Sequence, residues 1–498
     1  MKRIIKTGLM ITLALQSLGA SAQEKEFSQI SKEDLISDFR LAVDILKKQH
    51  PNPYKFTDSV TFNRRVDSLM NLATKQKDML SCLQYSPVQL LKDVHTSFSF
   101  SPEHIRDVYN HIQFFPFPVV IERDRIFINL KGGEVPFGAE VVSINGMSVT
   151  EILKVLSNSS YSDGYIKTGT DRVYEEFQLL FSLRAAVTRS YEIVYKSPDS
   201  NKENKVVIPY ADPTEAFHSS KKAVMPINML QRAYYVYRDY DDKTKTGVLT
   251  VNTFALDEAT AYKEFSEFFK EINRREYKQV VIDIRSNGGG NPAISALLYS
   301  FLAKGPFRNV YNYRTKTIDI AYQEYAVADN GRLLSEDDIR RNINFLYQRF
   351  DKDSSGFFVG NARLRDGLLE DFPADKDAFK GEVYVLAGGG TVSAATYFAS
   401  LVQKNKRGEI IGKETGSGVD ATTAAWFLKY QLPKTKSILT VPMSELYFFN
   451  AAKDSGHGVF PDFEVPLNQF IAYVRASKDP ELSYVMERIK TKPDVAKK

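Results

Sequence analysis

Apolar positions along this chain change their spacing twice, and the changes divide it into three stretches. Residues from about 27 to 100 carry helical spacing. Leu35, Phe39, Val43 and Leu46 recur every three or four residues behind Ser31, which suits an N-cap, and Pro51 and Pro53 end the pattern. A second helical stretch covers Phe62 to Leu72 and a third Pro87 to Leu91. Residues from about 111 to 210 switch to short apolar runs separated by turns. Val119-Val120-Ile121 and Ile126-Phe127-Ile128 flank the charged turn Glu122-Arg123-Asp124. The run from Gly138 to Ile144 closes on Asn145-Gly146, a pair suited to a tight turn, and a helix is expected from Val149 to Leu156. Further strands are expected at Tyr191–Tyr195 and Val206–Pro209 around a polar loop, Ser197–Asn204.

From about 245 to 470 the pattern alternates between continuous apolar runs and helical spacing. Gly247–Val251, Val280–Ile284, Glu382–Ala387 and Ile410-Ile411 read as strands covered on both faces. Helices are expected from Ala259 to Arg274, from Pro292 to Leu302 and from about Ser393 to Lys404. The alternation predicts an α/β layered domain. Residues from about 305 to 375 are polar and Tyr-rich and interrupt it, as an insertion or lid.

Composition narrows the function classes. The 498 residues carry a net charge of +5, with 43% hydrophobic and 26% charged residues, ordinary values for a globular protein with 27 Tyr and 33 Phe to fill its cores. Basic residues form no long block, so nucleic acid is not an expected partner. Lys2, Arg3 and Lys6, the apolar stretch Gly8–Leu18 and Gly19-Ala20-Ser21-Ala22 before Gln23 have the layout of a cleavable secretory signal, residues 1–22. The apolar run is short for a bilayer span, and no later stretch reads as one. Cys82 is the sole cysteine and lies away from the cleavage site, so neither a lipid anchor there nor an internal disulfide is expected. A periplasmic or secreted location follows.

Two segments carry the chemistry. Thr391-Val392-Ser393-Ala394-Ala395 follows a strand and Gly388-Gly389-Gly390 and opens a helix. A serine there is aimed outward near unpaired helix N–H groups, which suits a nucleophile, and equally suits a helix N-cap. Asp283-Ile284-Arg285-Ser286-Asn287-Gly288-Gly289-Gly290 supplies glycines that allow close backbone approach. It lacks the Gly-Lys-Ser/Thr of a phosphate loop. The histidines show no metal spacing and no Cys pair exists, so no metal and no other cofactor is expected.

The order D-x-R-x-N-x-G-G from Asp283, T-x-S-A-A from Thr391, Ile411-Gly412-Lys413-Glu414-Thr415-Gly416, and Gly458-Val459-Phe460-Pro461-Asp462-Phe463-Glu464-Val465 resembles the tail-specific (C-terminal processing) serine proteases. The resemblance implies a ClpP/crotonase-like catalytic domain, 213–475, with Ser393 as nucleophile. The G-x-x-V-x-x-I-N-G stretch from Gly138 is similar to a PDZ domain, giving a PDZ-like β-rich domain, 106–212. An N-terminal helical domain, 23–105, and a C-terminal helix or tail, 476–498, complete the organisation. Many family members use a Ser–Lys dyad, but Gly418 stands where that Lys is expected, and Lys413 occupies another motif position. Asp93-Val94-His95-Thr96 resembles the D-x-H-T segment of the tricorn-core-like branch, which makes His95 the implied base, with Lys413 and His457 as rivals. That branch places its third member, an acid, just before the closing motif, where Asp454 is nearest. The backbone N–H groups of Gly289 and Ala394 are the candidates for an oxyanion hole.

The resulting expectation is an exported serine endopeptidase acting on protein or peptide substrates, which the PDZ-like domain holds by strand addition. Two other classes stay open on sequence grounds: a non-catalytic peptide- or ligand-binding protein of the same fold, and a crotonase-type acyl-CoA enzyme, which an export signal does not suit.

Overall fold

The computed structural model describes residues 30–491, apart from 76–85, 100, 102–103, 105–111, 158–161, 186–187, 199, 201, 226–232, 310, 365–369 and 449–453. The expected signal segment, Cys82 and the last residues of the tail lie outside the described residues. Among the described residues no helix is long and apolar enough to cross a membrane.

The chain enters through α1 (Lys32–Gln49) and α2 (Ser59–Thr74). Ser31 caps α1 by accepting the Asp34 N–H at 3.0 Å, and Asp58 caps α2 by accepting that of Thr61 at 2.9 Å. The apolar stripe of α1, Phe39, Val43 and Leu46, does not form a core of its own. It packs with Phe62, Leu90 and Leu91 into the main core, beside Leu249, Phe254 and Ile282. The third helical stretch is a single 3₁₀ turn, Pro87–Leu90, and the short strand β1 (Ser97–Ser99) follows.

The next sheet is antiparallel in the order β2 (Val119–Glu122), β3 (Arg125–Ile128), β4 (Glu140–Ile144), β5 (Ser190–Lys196) and β6 (Glu203–Pro209). Arg123 and Asp124 both have positive φ, 46° and 60°, as a two-residue hairpin turn requires. The helix α3 (Val149–Ser157) covers this sheet, and the aromatic rings of Phe115, Phe177, Phe181 and Tyr191 fill the space beneath it. The last strand starts at Glu203, within the stretch expected to be loop, because residues 203–205 complete its ladder with Lys196, Tyr195 and Val194.

The parallel sheet contains β7 (Val236–Asp241), β8 (Thr246–Val251), β9 (Gln279–Asp283), β10 (Glu382–Ala387) and β11 (Glu409–Gly412). Only the edge pair β7–β8 is antiparallel. Alternation along β9 assigns its faces: Val280 and Ile282 join the main core, while Val281 faces the opposite layer with Tyr384, Leu386 and Val485. The main-core face carries α4 (Glu258–Arg274), α5 (Pro292–Ser300) and α6 (Ala394–Lys404), and the other carries α7 (Pro480–Thr491). The polar stretch 305–375 has structure of its own, a helix at Glu336–Tyr347 and short strands. Its strand Tyr311–Thr315 pairs with Ser444–Phe448, which in turn pairs with β12 (Ala421–Ala424), so the insertion shares a separate antiparallel sheet with β12.

An ion network fastens α7 to the loop that leaves β9. Arg285 reaches Asp283, Asp479 and Glu481, each at 2.7 Å, with all four side chains at least 80% shielded from solvent. Removing the guanidinium would leave three acidic groups crowded and poorly solvated. Arg285→Ala is therefore expected to cost roughly 3 kcal/mol, read as a lowered midpoint in urea denaturation. An unchanged midpoint would mean that the network does not hold the loop.

Candidate active site

Ser393 occupies the junction between β10 and α6, and its backbone is held in a conformation that non-glycine residues avoid, φ 58° and ψ −123°. Such strain costs roughly 1–3 kcal/mol and persists only where the surroundings fix it. The fixing groups are visible. The Ser393 N–H donates to Ser417 Oγ at 2.7 Å, and Ser417 Oγ donates to Thr396 Oγ1 at 2.9 Å. Thr391 Oγ1 donates to the Ile284 carbonyl at 3.0 Å and accepts the Gly388 N–H at 3.1 Å, which locks the preceding turn. The side chain of Ser393 stands at the N-cap position but makes no capping hydrogen bond. Its hydroxyl is thus left for other work. The loop after β9 lies directly against it: a Cβ built on Gly289, whose φ is +98°, would sit 2.6 Å from Ser393 Cβ.

His95 lies in a loop folded around a buried carboxylate. Asp93 Oδ1 accepts the His95 N–H at 2.8 Å, closing an Asx turn, and Asp93 Oδ2 accepts from the Thr96 hydroxyl and from His50 Nε2, the latter at 2.9 Å. His50 Nδ1 accepts the Asn52 N–H at 3.2 Å, so its proton is on Nε2 and the ring is neutral. Burial alone would push the Asp93 carboxyl up, but the hydrogen bond from His50 leads the interactions that outweigh it and hold the group well below the ordinary carboxylate range.

On its other side His95 meets β12 and the loop after α3. His95 Nδ1 is 3.2 Å from Thr422 Oγ1, which donates to Asp163 Oδ2 at 2.6 Å. Asp163 also accepts the N–H groups of Val94 and Gly418, each at 3.0 Å. The exposed ring of Phe427 stacks on the imidazole at 6.1 Å between centroids. Ser417 holds the backbone of Ser393 and Gly418 holds Asp163, so one short segment ties both halves of the site together. Among the described residues no hydrogen bond joins Ser393 Oγ to His95. Donor atoms of Asp93, His95 and Asp163 lie within 4.8 Å of one another, close enough for a metal ion. Every oxygen of the two carboxylates, however, already accepts from an N–H or O–H group, and those donors would face the cation.

Residues 245–465, which contain Ser393 and the glycine loop, match the profile of Peptidase family S41. The matched region is similar to the S41 peptidases, the tail-specific proteases, and the chain is a serine-type peptidase. The family match ends before α7 and begins after the antiparallel sheet. Solved structures extend the likeness of fold over nearly the whole chain. Mature CPAF complexed with lactacystin is 15% identical, covers 92% of this chain and 98% of its own, and superposes with a TM-score of 0.59. Mature CPAF is 14% identical over 92% of this chain and 97% of its own, with a TM-score of 0.58. No curated protein matches the sequence.

The other residues expected at an S41 site fall in different places. Ala394 is the first residue of α6, so its N–H has no acceptor within the helix and points from the helix start. Gly289 lies against Ser393, but its own N–H donates to Asn287 Oδ1 at 2.9 Å. Asp454 is not the acid beside His95. It forms an ion pair with Lys55 at 2.5 Å and accepts the Gly456 N–H, because Lys55, buried between it and Glu445, needs both charges. Of the rival bases, Lys413 is 2.6 Å from Glu122 and His457 is 3.0 Å from Glu414. Sequence reasoning missed His50, Asp163, Ser417 and Thr422. The D-x-H-T spacing was a signal for Asp93 as the carboxylate of an Asx turn, and no comparable local signal marked the others.

The contact between Gly289 and Ser393 gives a test. Gly289→Ala places a methyl group where Ser393 Cβ is, on a backbone that favours glycine. A displacement of the nucleophile of even 1 Å lowers the rate by about 100-fold, so kcat in a steady-state peptidase assay should fall by at least that much while circular dichroism stays native. Undiminished kcat would show that the loop yields without moving Ser393.

The depressed Asp93 carboxyl gives another. A carboxyl whose folded pKa is below its unfolded value stabilises the protein above about pH 4, where the unfolded group is ionised. That stability is lost as pH falls through the lower, folded value. The wild type should therefore lose more stability than Asp93→Asn between neutral pH and acid, read from melting temperatures across that range. Parallel curves for the two proteins would contradict the pairing.

Proposed function

We propose that this chain is an exported serine endopeptidase in which Ser393 attacks the peptide carbonyl and His95 is the general acid and base. The observation that supports the reading is that the strained Ser393, with no cap bond, and His95 are both anchored to the 417–422 segment. His95 Nε2 takes the hydroxyl proton as Ser393 Oγ bonds to the carbonyl carbon, and the carbonyl oxygen becomes an oxyanion. The Ala394 N–H is one donor to that oxygen, and the Gly289 N–H becomes the second when it exchanges Asn287 for the oxyanion; each such donor is worth roughly 3 kcal/mol. His95 then returns its proton to the leaving amine, and water, activated by the same nitrogen, releases the acyl group.

The β2–β6 sheet is read as a PDZ-like module that receives an extended peptide by strand addition, so main chain contributes more to recognition than side chains. The N-terminal segment, with its basic start, apolar run and small-residue site, directs the protein to the periplasm or beyond.

Cleavage of an unfolded protein by the chain starting at Gln23, followed by mass spectrometry, tests this directly. Ser393→Ala and His95→Ala should each reduce cleavage by roughly 10⁴-fold or more. Loss in Ser393→Ala alone would move the base elsewhere, with His457 next in line. A wild type that binds unfolded chains but never cuts them would favour a binding role instead.

A further inference from the structure

We propose that Asp163, acting through the hydroxyl of Thr422, is the acid that positions His95, in place of an acid near the closing motif. The inference rests on the assignment of His95 as base and goes beyond it, because it fixes where the imidazole proton sits and which part of the chain fixes it.

The proton count decides the direction of the relay. Asp163 Oδ1 accepts the Val94 N–H, and Oδ2 accepts the Gly418 N–H, each at 3.0 Å. An ionised Asp163 can only accept, so the 2.6 Å bond to Thr422 uses the threonine's single O–H proton. Thr422 Oγ1 then has only lone pairs to offer His95 Nδ1, 3.2 Å away. Nδ1 must carry the ring proton, and Nε2 is left with the lone pair that a general base needs. The hydroxyl therefore transmits the carboxylate's preference across a gap that the carboxylate does not span itself. When Nε2 takes the proton from Ser393, the positive ring faces Asp93 on its own loop and Asp163 across Thr422, with His50 behind Asp93. Burial and the neighbouring charge of Asp93 raise the Asp163 carboxyl, partly offset by the charge of His95 and the Thr422 bond, and the relay is set once Asp163 has lost its proton.

Asp163 belongs to the loop after α3, so the antiparallel domain completes the site. That loop is sewn down on several sides. The Gly164 N–H donates to the Lys92 carbonyl at 3.0 Å, that of Tyr165 to the Gly456 carbonyl at 2.8 Å, and the Thr168 hydroxyl to the Glu414 carbonyl at 2.9 Å. A Cβ on Gly164 would meet the Gly456 carbonyl oxygen at 2.5 Å, so the fit leaves no slack.

Thr422→Val keeps the shape and removes the relay, while Thr422→Ser keeps the relay and removes a methyl group. With the full-length mature protein and a peptide substrate, Thr422→Val should lower kcat by about 10- to 100-fold at unchanged KM, less than the roughly 10²–10⁴-fold that general acid–base catalysis supplies as a whole. The acid limb of its kcat/KM profile should move to lower pH, because the imidazolium loses the carboxylate's support. Thr422→Ser should return both values to near wild type, with melting temperatures of all three proteins compared to separate loss of fold from loss of relay. Wild-type kcat and pH profile in Thr422→Val, while His95→Ala is inactive, would overturn the relay alone. Failure of Thr422→Ser to restore a natively folded enzyme would equally overturn it, since the effect would then be one of packing. Full activity in His95→Ala would instead overturn the base assignment beneath it.

Discussion

The site depends on one buried carboxylate that two distant stretches of chain converge to satisfy. Asp163 takes the N–H of Val94, the N–H of Gly418 and the hydroxyl of Thr422, partners 69, 255 and 259 residues away in sequence. A charge buried without such donors costs several kcal/mol, so the loop bearing His95, the segment beneath Ser393 and the loop after α3 are held together by a common penalty for separating. The geometry of the candidate site is thus a consequence of satisfying a polar group in the interior. It is not built on the parallel sheet alone, although that sheet supplies Ser393.

The sheet's contribution is rigidity. Residues 280–284 and 383–387 are buried on both faces, and the turns that leave them are closed by Thr391, Ser417 and the Gly289 contact. Those bonds allow Ser393 to keep a backbone conformation that would relax if it were free. Arg285 ties the same loop to α7 on the far side of the sheet, which links the C-terminal helix to the floor of the site.

Much of the parallel layer was legible in the sequence because its signals are local. Continuous apolar runs of strand length followed by three glycines and a helix place Ser393 without knowledge of anything distant. His95 was legible through the short Asp93-Val94-His95-Thr96 pattern, whose meaning is the turn it forms on itself. Asp163 was not, since a lone aspartate before a glycine reads as an ordinary turn residue until its three partners are assembled. Asp454 misled for the complementary reason. It is close in sequence to the closing motif, but the buried ammonium of Lys55, nearly 400 residues earlier, claims it. Gly289, expected from the sequence as an oxyanion-hole donor, lies against Ser393, while the engagement of its N–H by Asn287 depends on a side-chain rotation that spacing does not encode.

Whether His95 makes Ser393 nucleophilic is read at the serine hydroxyl itself. The most direct measurement is reaction of the folded mature protein with a fluorophosphonate, followed by intact-mass and peptide mass spectrometry. A single adduct is expected, mapped to Ser393 and forming far more slowly in His95→Ala. An adduct on another residue, or equally fast labelling of Ser393 without His95, would contradict it.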